Sequence, residues 1–163
     1  MTLAEERRRL SERGQAPLLS AYDDDPYSWA LEQAELLRNG QLARLDTQNL
    51  ADEITALAHY LAAKLRSDLS RILQHVLKWD HQPERRTRSW AISIREHRRR
   101  VAEHLQDGPG LKSALASITE RAYADGRDAA LNETRLNPHL VPEICPYSWD
   151  EIMTRPIEWP ESA

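Results

Sequence analysis

The sequence predicts an all-α fold: a bundle of four or five helices organised around one long central helix. Apolar residues recur at steps of three or four through most of the chain, which is the period of an α-helix. Only five of the 163 residues are glycine, and low glycine favours long helices over turn-rich β structure. No segment alternates apolar and polar residues for long enough to predict a strand.

The chain divides into three predicted regions. Residues 1–20 are a charged arm or short surface helix, residues 21–155 form a single helical domain, and residues 156–163 are an extended tail. A chain of this length fits one domain, and such a domain buries roughly 70% of the surface that its unfolded chain exposes. We therefore expect it to fold without a disulfide or a structural metal.

The first helix is predicted to begin at Asp25-Pro26 and to stop at Asn39-Gly40. Aspartate can accept backbone N–H bonds as the N-cap, and proline is tolerated at the first helical position. Asn-Gly supplies a left-handed C-terminal stop.

The central helix is predicted from about Thr47 to Asp80, with Asp46 as its N-cap. No glycine or proline interrupts this stretch, which would be roughly 50 Å long at 1.5 Å per residue. One apolar stripe runs along it, made of Leu50, Ile54, Leu57, Leu61, Leu65, Leu69, Ile72, Val76 and Trp79. A stripe this long must pack against several shorter helices or against a second copy of the chain.

Three further helices complete the prediction. Helices over 89–106 and 111–134 are separated by Gly108-Pro109-Gly110. Asn137-Pro138 closes the second of them. A short helix is predicted at Ser148–Glu151, where serine at the N-cap and glutamate three residues later form a capping box.

Charge is distributed unevenly. The net charge is −4, which argues against a general polyanion binder. Residues 84–100 nevertheless hold seven arginines against Glu84 and Glu96, a local charge of +5, so the rest of the chain carries −9.

The chain has one cysteine, Cys145, so an intrachain disulfide is excluded and a reducing compartment is expected. The N-terminus lacks the apolar core of a signal peptide, and no stretch is apolar enough to span a membrane. We expect a cytoplasmic protein with no membrane association.

The junction within residues 71–100 is the candidate site. Arginine can bind phosphate or carboxylate through two parallel hydrogen bonds, and tryptophan can stack on a cation, so this junction is either an anion or partner pocket or an internal salt-bridge network. Arg98 lies on the inner face of its helix, which predicts an acidic partner, with Asp52, Glu53 and Asp23–Asp25 as candidates. The candidate residues are Glu53, His75, Lys78, Trp79, Arg85, Arg88, Trp90, Arg95 and Arg98.

No catalytic residue, metal site or cofactor is predicted. His75 and His97 have no carboxylate three or four residues away on their helix, as helical metal sites normally require. Arg99 and His104 match the spacing of helical ribonucleases of the HEPN type, but arginine replaces the polar residue that usually follows, and a solvated helix face is favoured. Cys145 is interpreted as a small buried hydrophobe.

The strings YDDDPYSWALEQAELLRNGQL, LDTQNLADEI, HVLKWDHQPERRTRSWAISIREHRRR and ICPYSWDEI resemble a bacterial family catalogued as domain of unknown function 29 (DUF29). The resemblance covers roughly residues 21–153 and is most specific over Leu77–Arg100. It implies an all-helical bundle in the bacterial cytoplasm and no particular activity. The matching positions are Asp25, Trp29, Leu45, Asp46, Asn49, Leu50, Glu53, Ile54, Lys78, Trp79, Pro83, Arg85, Ser89, Trp90, Ile94, Arg98, Cys145, Pro146 and Tyr147.

Three functional hypotheses follow. The first is a protein-interaction or regulatory module that docks a partner protein or a second copy of itself. The second is binding of nucleic acid or a small anion through the arginine-rich helix of residues 84–100. The third is an enzyme of unknown reaction, which requires Glu53, His75, Lys78 and Arg98 to converge in one cleft.

Overall fold

A computed structural model of the chain describes residues 19–159, so the predictions for residues 1–18 and 160–163 lie outside the described residues. Between residues 19 and 159 the chain contains five α-helices and no strand, which confirms the all-α prediction. The helices are α1 (Pro26–Arg38), α2 (Thr47–His81), α3 (Arg88–Asp107), α4 (Leu115–Thr134) and α5 (Trp149–Thr154). The chain divides into two compact units, Met1–Ala56 and Leu57–Ala163.

The described part of the first unit is organised around a buried tryptophan. Asp25 caps α1 by accepting the N–H of Ser28 at 3.0 Å, and Gly40 ends the turn after the helix with a left-handed φ of +67°. Trp29 is buried, and its indole N–H donates to the carboxylate of Asp46 at 3.2 Å. The same carboxylate accepts the backbone N–H of Asn49, so the predicted cap of the central helix is confirmed.

The central helix α2 is 35 residues long, and its burial changes abruptly along its length. Ile54, Leu57 and Leu61 are exposed although they lie on the predicted apolar stripe. From Leu65 onward the stripe is buried as expected, as far as Trp79. The continuous stripe therefore contributes to a core only along its second half.

The core of the second unit forms where this half of α2 packs with the later helices. Buried side chains from α3 and α4 join it, and Val141 and Ile152 extend it to the C-terminal segment. Its members are Leu65, Leu69, Ile72, Leu73, Val76, Leu77, Ile94, Val101, Ile118, Ala122, Tyr123, Ala130, Val141 and Ile152.

Gly126 allows α4 to approach α2 closely. A Cβ atom at this position would lie 2.7 Å from the backbone oxygen of Ser70 and 3.0 Å from the backbone nitrogen of Gln74. Both are backbone atoms that cannot rotate away, so only glycine fits here without moving the two helices apart.

One boundary differs from the prediction. Pro109–Ala114 form a 3-10 helix, so the α-helix predicted from Leu111 begins at Leu115. At its other end α4 stops at Thr134, as predicted, and Arg135 takes the left-handed conformation with φ of 57°. The predicted capping box is confirmed, with Ser148 and Glu151 bonding each other's backbone N–H groups at the start of α5.

Candidate functional site

Three of the predicted site residues meet in a cluster of α2 and α3 side chains. Lys78 is only 7% exposed. Its ammonium group lies 4.4 Å from the centre of the Trp90 ring and donates to the carboxylate of Glu133 at 2.6 Å. Gln74 donates to the other oxygen of that carboxylate at 2.6 Å. The charge of Lys78 is thus already neutralised by Glu133 of α4, a residue that the sequence did not single out.

His75 lies in the same cluster, with its ring 6.5 Å from that of Trp90. The pKa of His75 is lowered to about 4, mainly by burial of the ring and also by the nearby charge of Lys78. Its Nδ1 atom is buried and has no hydrogen-bond partner. At neutral pH the ring is therefore uncharged, and it serves as packing.

Trp79 occupies a separate environment at the end of α2. Its ring meets that of Trp159 edge-on at 6.5 Å, and the guanidinium of Arg86 lies 4.9 Å from its centre. Arg86 also donates to the backbone carbonyl of Trp79 at 2.9 Å. The junction thus holds two cation–π contacts, one between the candidates Lys78 and Trp90 and one between Trp79 and Arg86, which was not among the candidates.

Among residues 19–159 Arg98 has no acidic partner, contrary to the prediction. Its guanidinium donates to the backbone carbonyls of Ile152 at 2.7 Å, Arg155 at 2.8 Å and Glu151 at 3.3 Å. The last turn of a helix leaves its carbonyls without intrahelical donors, and a planar guanidinium can serve several of them at once. Arg98 therefore holds the C-terminal end of α5 against α3. Burial lowers its pKa, and the charge of Arg155 acts in the same direction.

Two other arginines of α3 are neutralised on its surface. Arg99 pairs with Glu96 at 2.8 Å and also with Glu103, and Arg100 pairs with Glu96 at 3.0 Å. The hydrogen bonds from Arg99 and Arg100 lower the pKa of Glu96 to about 2. This part of the junction is the internal network that the sequence left as one of two alternatives.

Three candidate arginines are different. Arg85, Arg88 and Arg95 are exposed, and in the described part of the chain none of them has an ion pair. Arg88, Ile92 and Arg95 line a shallow depression of about 400 Å³ together with the mutually paired Glu96 and Arg99, and Ile92 is exposed. We call Arg88, Ile92 and Arg95 the arginine face.

Glu53 lies in the first unit, where its carboxylate accepts a hydrogen bond from the hydroxyl of Tyr22. This bond raises the pKa of Tyr22. Within the second unit, Lys78 and Arg98 are engaged by different groups, Glu133 and the carbonyls of α5. The single catalytic cleft that the enzyme hypothesis required therefore has no counterpart around these two residues.

The sequence missed a carboxylate shared by two histidines. Asp68 of α2 is 9% exposed and bonds His97 Nδ1 at 2.6 Å and His104 Nε2 at 2.8 Å. The seven-residue spacing of the histidines on α3 was visible, but their carboxylate comes from another helix. Among residues 19–159 no three His, Cys, Asp or Glu side chains are placed to hold a metal ion. Arg99, which shares the ribonuclease spacing with His104, pairs with the glutamates of its own helix.

The sequence also missed a groove of about 680 Å³ in the second unit. Its floor is one face of α4, and its wall is the extended segment before α5. We call it the apolar groove. It is lined by Lys112, Leu115, Ala116, Thr119, Glu120, Tyr123, Ala124, Glu143, Ile144, Cys145, Tyr147 and Trp149.

Over the described residues, the helices lack the length and apolar character needed to cross a membrane. Comparison with curated proteins gave no match, and neither did comparison with solved structures. The sequence profile of the family described as "Domain of unknown function DUF29" matches residues 21–157, most of the chain and a slightly longer stretch than the resemblance noted above. The chain therefore belongs to the DUF29 family.

Proposed function

We propose that this protein is an interaction module of the bacterial cytoplasm, which binds an acidic segment of a partner protein through the arginine face. One observation carries the proposal. Arg88 and Arg95 have no acidic partner between residues 19 and 159, whereas Arg99 and Arg100 of the same region are paired with glutamates.

The chemistry of the face fits a carboxylate-bearing peptide. A guanidinium presents two parallel N–H donors to a carboxylate, which gives orientation as well as attraction. Ile92 is 48% exposed between Arg88 and Arg95, so an apolar side chain of the partner can lose contact with water there. Exposed ion pairs contribute only about 0–1 kcal/mol each, so we expect a weak, salt-sensitive complex.

Nucleic acid is the less favoured ligand. Its binding proteins make roughly 6–10 phosphate contacts, and three unpaired arginines supply fewer. An exposed isoleucine between two of them has no counterpart on a phosphate backbone. The remainder of the chain carries a net negative charge, which repels a polyanion.

The proposal is tested with a fluorescent peptide of glutamate and leucine, compared with a peptide in which glutamine replaces glutamate. We expect the protein to bind the acidic peptide only, and the double variant R88E/R95E to lose that binding. The matched control is the double variant R38E/R121E, which changes the net charge equally at two exposed arginines that do not belong to the face.

Fluorescence anisotropy at low and at about 200 mM salt measures both peptides. Equal binding of the acidic peptide by R88E/R95E and R38E/R121E would show that the arginine face is not the site. If a single-stranded oligonucleotide of mixed sequence binds more tightly than the acidic peptide, and R88E/R95E loses that binding, the nucleic-acid hypothesis replaces the proposal.

A further inference from the structure

We infer that the apolar groove is a second docking site, whose partner is a basic amphipathic helix of another protein. This inference goes beyond the arginine face, since the groove shares no residue with it and would attract a partner of opposite charge. Five features of the groove support it: its lining, its fixed wall, its exposed rim, its charge and its openness.

The lining of the groove is mainly apolar and aromatic. Leu115, Thr119 and Tyr123 recur along the floor at a spacing of four on α4, and Tyr147 and Trp149 stand on the wall. A groove of this kind matches the apolar face of a helix whose anchors repeat every three or four residues.

The wall is held in place by several hydrogen bonds. Tyr123 donates to the carbonyl of Pro142 at 2.6 Å, and Tyr147 donates to the carboxylate of Asp80 at 2.8 Å. Arg127 donates to the carbonyl of Val141 at 3.1 Å. These bonds anchor both ends of the segment that carries Ile144, so the groove is formed before a partner arrives, and little ordering entropy opposes docking.

The rim exposes large apolar side chains. Ile144 is 84% exposed and Trp149 is 37% exposed, although the segment that carries them is fixed. Burial raises the pKa of the Cys145 thiol, so it remains protonated at neutral pH and adds to the apolar lining. A partner that covers Ile144 would remove this surface from water, which is the main driving force of association.

The charged residues of the groove decide which helix fits. Glu120 and Glu143 are exposed, and neither has an ion pair among the described residues, whereas Lys112 is the one cation in the lining. An acidic rim around an apolar floor complements a helix that carries lysine or arginine beside its apolar face.

The shape of the groove favours a helix over a small molecule. Its volume falls within the range of ligand pockets, but it is open, and a small ligand on the floor would leave Ile144 in water. A helix lying along α4 can contact the floor and the rim together.

The test uses the full chain and a fluorescent peptide of leucine and lysine, about 18 residues or five helical turns long, with all leucines on one face. A peptide of the same composition in scrambled order has no apolar face, and a leucine–glutamate peptide has the opposite charge. Fluorescence anisotropy at about 150 mM salt measures their binding to the wild type and to the variants.

We expect the wild type to bind the amphipathic basic peptide and neither of the other two. Ile144→Ser should weaken binding about tenfold, because an anchor of this size loses its burial. Ile92→Ser is the matched control, an exposed isoleucine of the arginine face, and should leave binding unchanged. The double variant E120K/E143K should reverse the preference toward the leucine–glutamate peptide.

The thermal midpoint of each variant checks folding, and Ile144 is exposed enough that Ile144→Ser should leave that midpoint unchanged. The inference is overturned if the scrambled peptide binds as tightly or if Ile144→Ser and Ile92→Ser act alike. It is also overturned if an anilinonaphthalene dye occupies the groove while no peptide binds, since the groove would then take a small molecule. A dimer in sedimentation that Ile144→Ser dissociates would overturn it as well, since a second copy of the chain would then cover the groove. R88E/R95E should not weaken the basic peptide, so the two proposals fail independently.

Discussion

At the scale of single residues, two buried charged side chains of the second unit, Lys78 and Asp68, are paired with groups on other helices. Lys78 of α2 is held by Glu133 of α4 and by the ring of Trp90 of α3, so one ammonium group links three helices. Asp68 of α2 similarly accepts two bonds from α3. A buried charge without such partners would cost several kcal/mol, which explains why Lys78 can sit in a largely apolar environment.

The stability of the fold should depend on the titration of His75. The ordinary pKa of histidine is near 6.5 and that of folded His75 is about 4, so between these values the unfolded chain binds a proton that the folded chain excludes. Stability therefore falls as the pH falls from about 6.5 to 4. The charged and titratable groups that act on the ring are Lys78, Glu133, Arg71 and His97.

We predict that His75→Phe loses less stability than the wild type between pH 7 and pH 5, because phenylalanine binds no proton in the unfolded chain. The difference should be at most about 1 kcal/mol, since solvent screens the partly exposed ring. Urea unfolding at both pH values measures the difference. His59→Phe, at an exposed histidine of the same helix, should keep the pH dependence of the wild type. Equal pH dependence in all three proteins would show that His75 does not exclude the proton.

The shared carboxylate of Asp68 gives a second prediction. Asparagine at this position must offer its amide N–H to one of the two histidines, so Asp68→Asn should destabilise the fold by about 1–3 kcal/mol. Asp125→Asn removes an exposed carboxylate that Arg66 binds at 2.6 Å and 2.7 Å, and should cost less than about 1 kcal/mol. If both variants lose the same free energy of unfolding in chemical denaturation, the burial of Asp68 does not strengthen its contribution to stability.

At the scale of helices, the sequence predicted those features that depend on neighbouring residues. Asp25, Asp46 and the Ser148 capping box act within one turn, and each lies where it was predicted. Features that join distant segments escaped prediction. The inward position of Arg98 on its helix predicted a salt bridge. The sequence pattern did not indicate that Arg98 would instead donate to backbone carbonyls at the end of α5.

The close approach of α4 to α2 at Gly126 can be tested by adding one methyl group. Alanine gains roughly 0.5–1 kcal/mol over glycine inside a helix. Overpacking against backbone atoms costs about 1–3 kcal/mol, so Gly126→Ala should be destabilising overall. A Cβ at Gly110 meets nothing within 4 Å, so Gly110→Ala should change the free energy of unfolding by less than about 0.5 kcal/mol. A stabilised Gly126→Ala protein would contradict the close approach.

The attachment of α5 by Arg98 gives a matched pair of lysine substitutions. The three donors of lysine share one nitrogen, so lysine cannot reach the three carbonyls that Nε and both Nη atoms of Arg98 contact. Arg98→Lys should therefore destabilise the fold by about 1–3 kcal/mol and speed proteolysis within residues 149–159. Arg95→Lys, at an exposed residue of the same helix, should change neither. Limited digestion with thermolysin, which cleaves before apolar residues such as Ile152 and Met153, followed by mass spectrometry would distinguish the two variants. Equal digestion would show that Arg98 does not hold α5.

At the scale of the whole molecule, the charge asymmetry of the sequence has a structural counterpart within the second unit. Among the described residues, the arginine face presents cations without an ion pair around an exposed isoleucine, and the apolar groove presents glutamates without an ion pair around another. The two proposed sites therefore call for partners of opposite charge, and a partner of one would not compete for the other.

The uneven burial of α2 predicts how the molecule as a whole opens. Residues 51–61 are exposed on every face of the helix, so opening them breaks backbone hydrogen bonds and releases little buried apolar surface. Isolated helical segments of this length are marginal in water. Residues 65–79 can open only together with the core that they share with α3 and α4.

Amide hydrogen exchange followed by mass spectrometry should therefore show faster exchange in residues 51–61 than in residues 65–79, by at least about two orders of magnitude. Leu69→Ala, which opens a cavity in that core, should narrow the difference by raising exchange in residues 65–79 alone. The exposed Leu61→Ala is its control and should leave the exchange of residues 65–79 unchanged. Equal protection of both halves, independent of protein concentration, would contradict the division of α2 into an exposed half and a core half. Protection of residues 51–61 that appears only at high concentration would mean instead that a second copy covers the exposed half of the stripe.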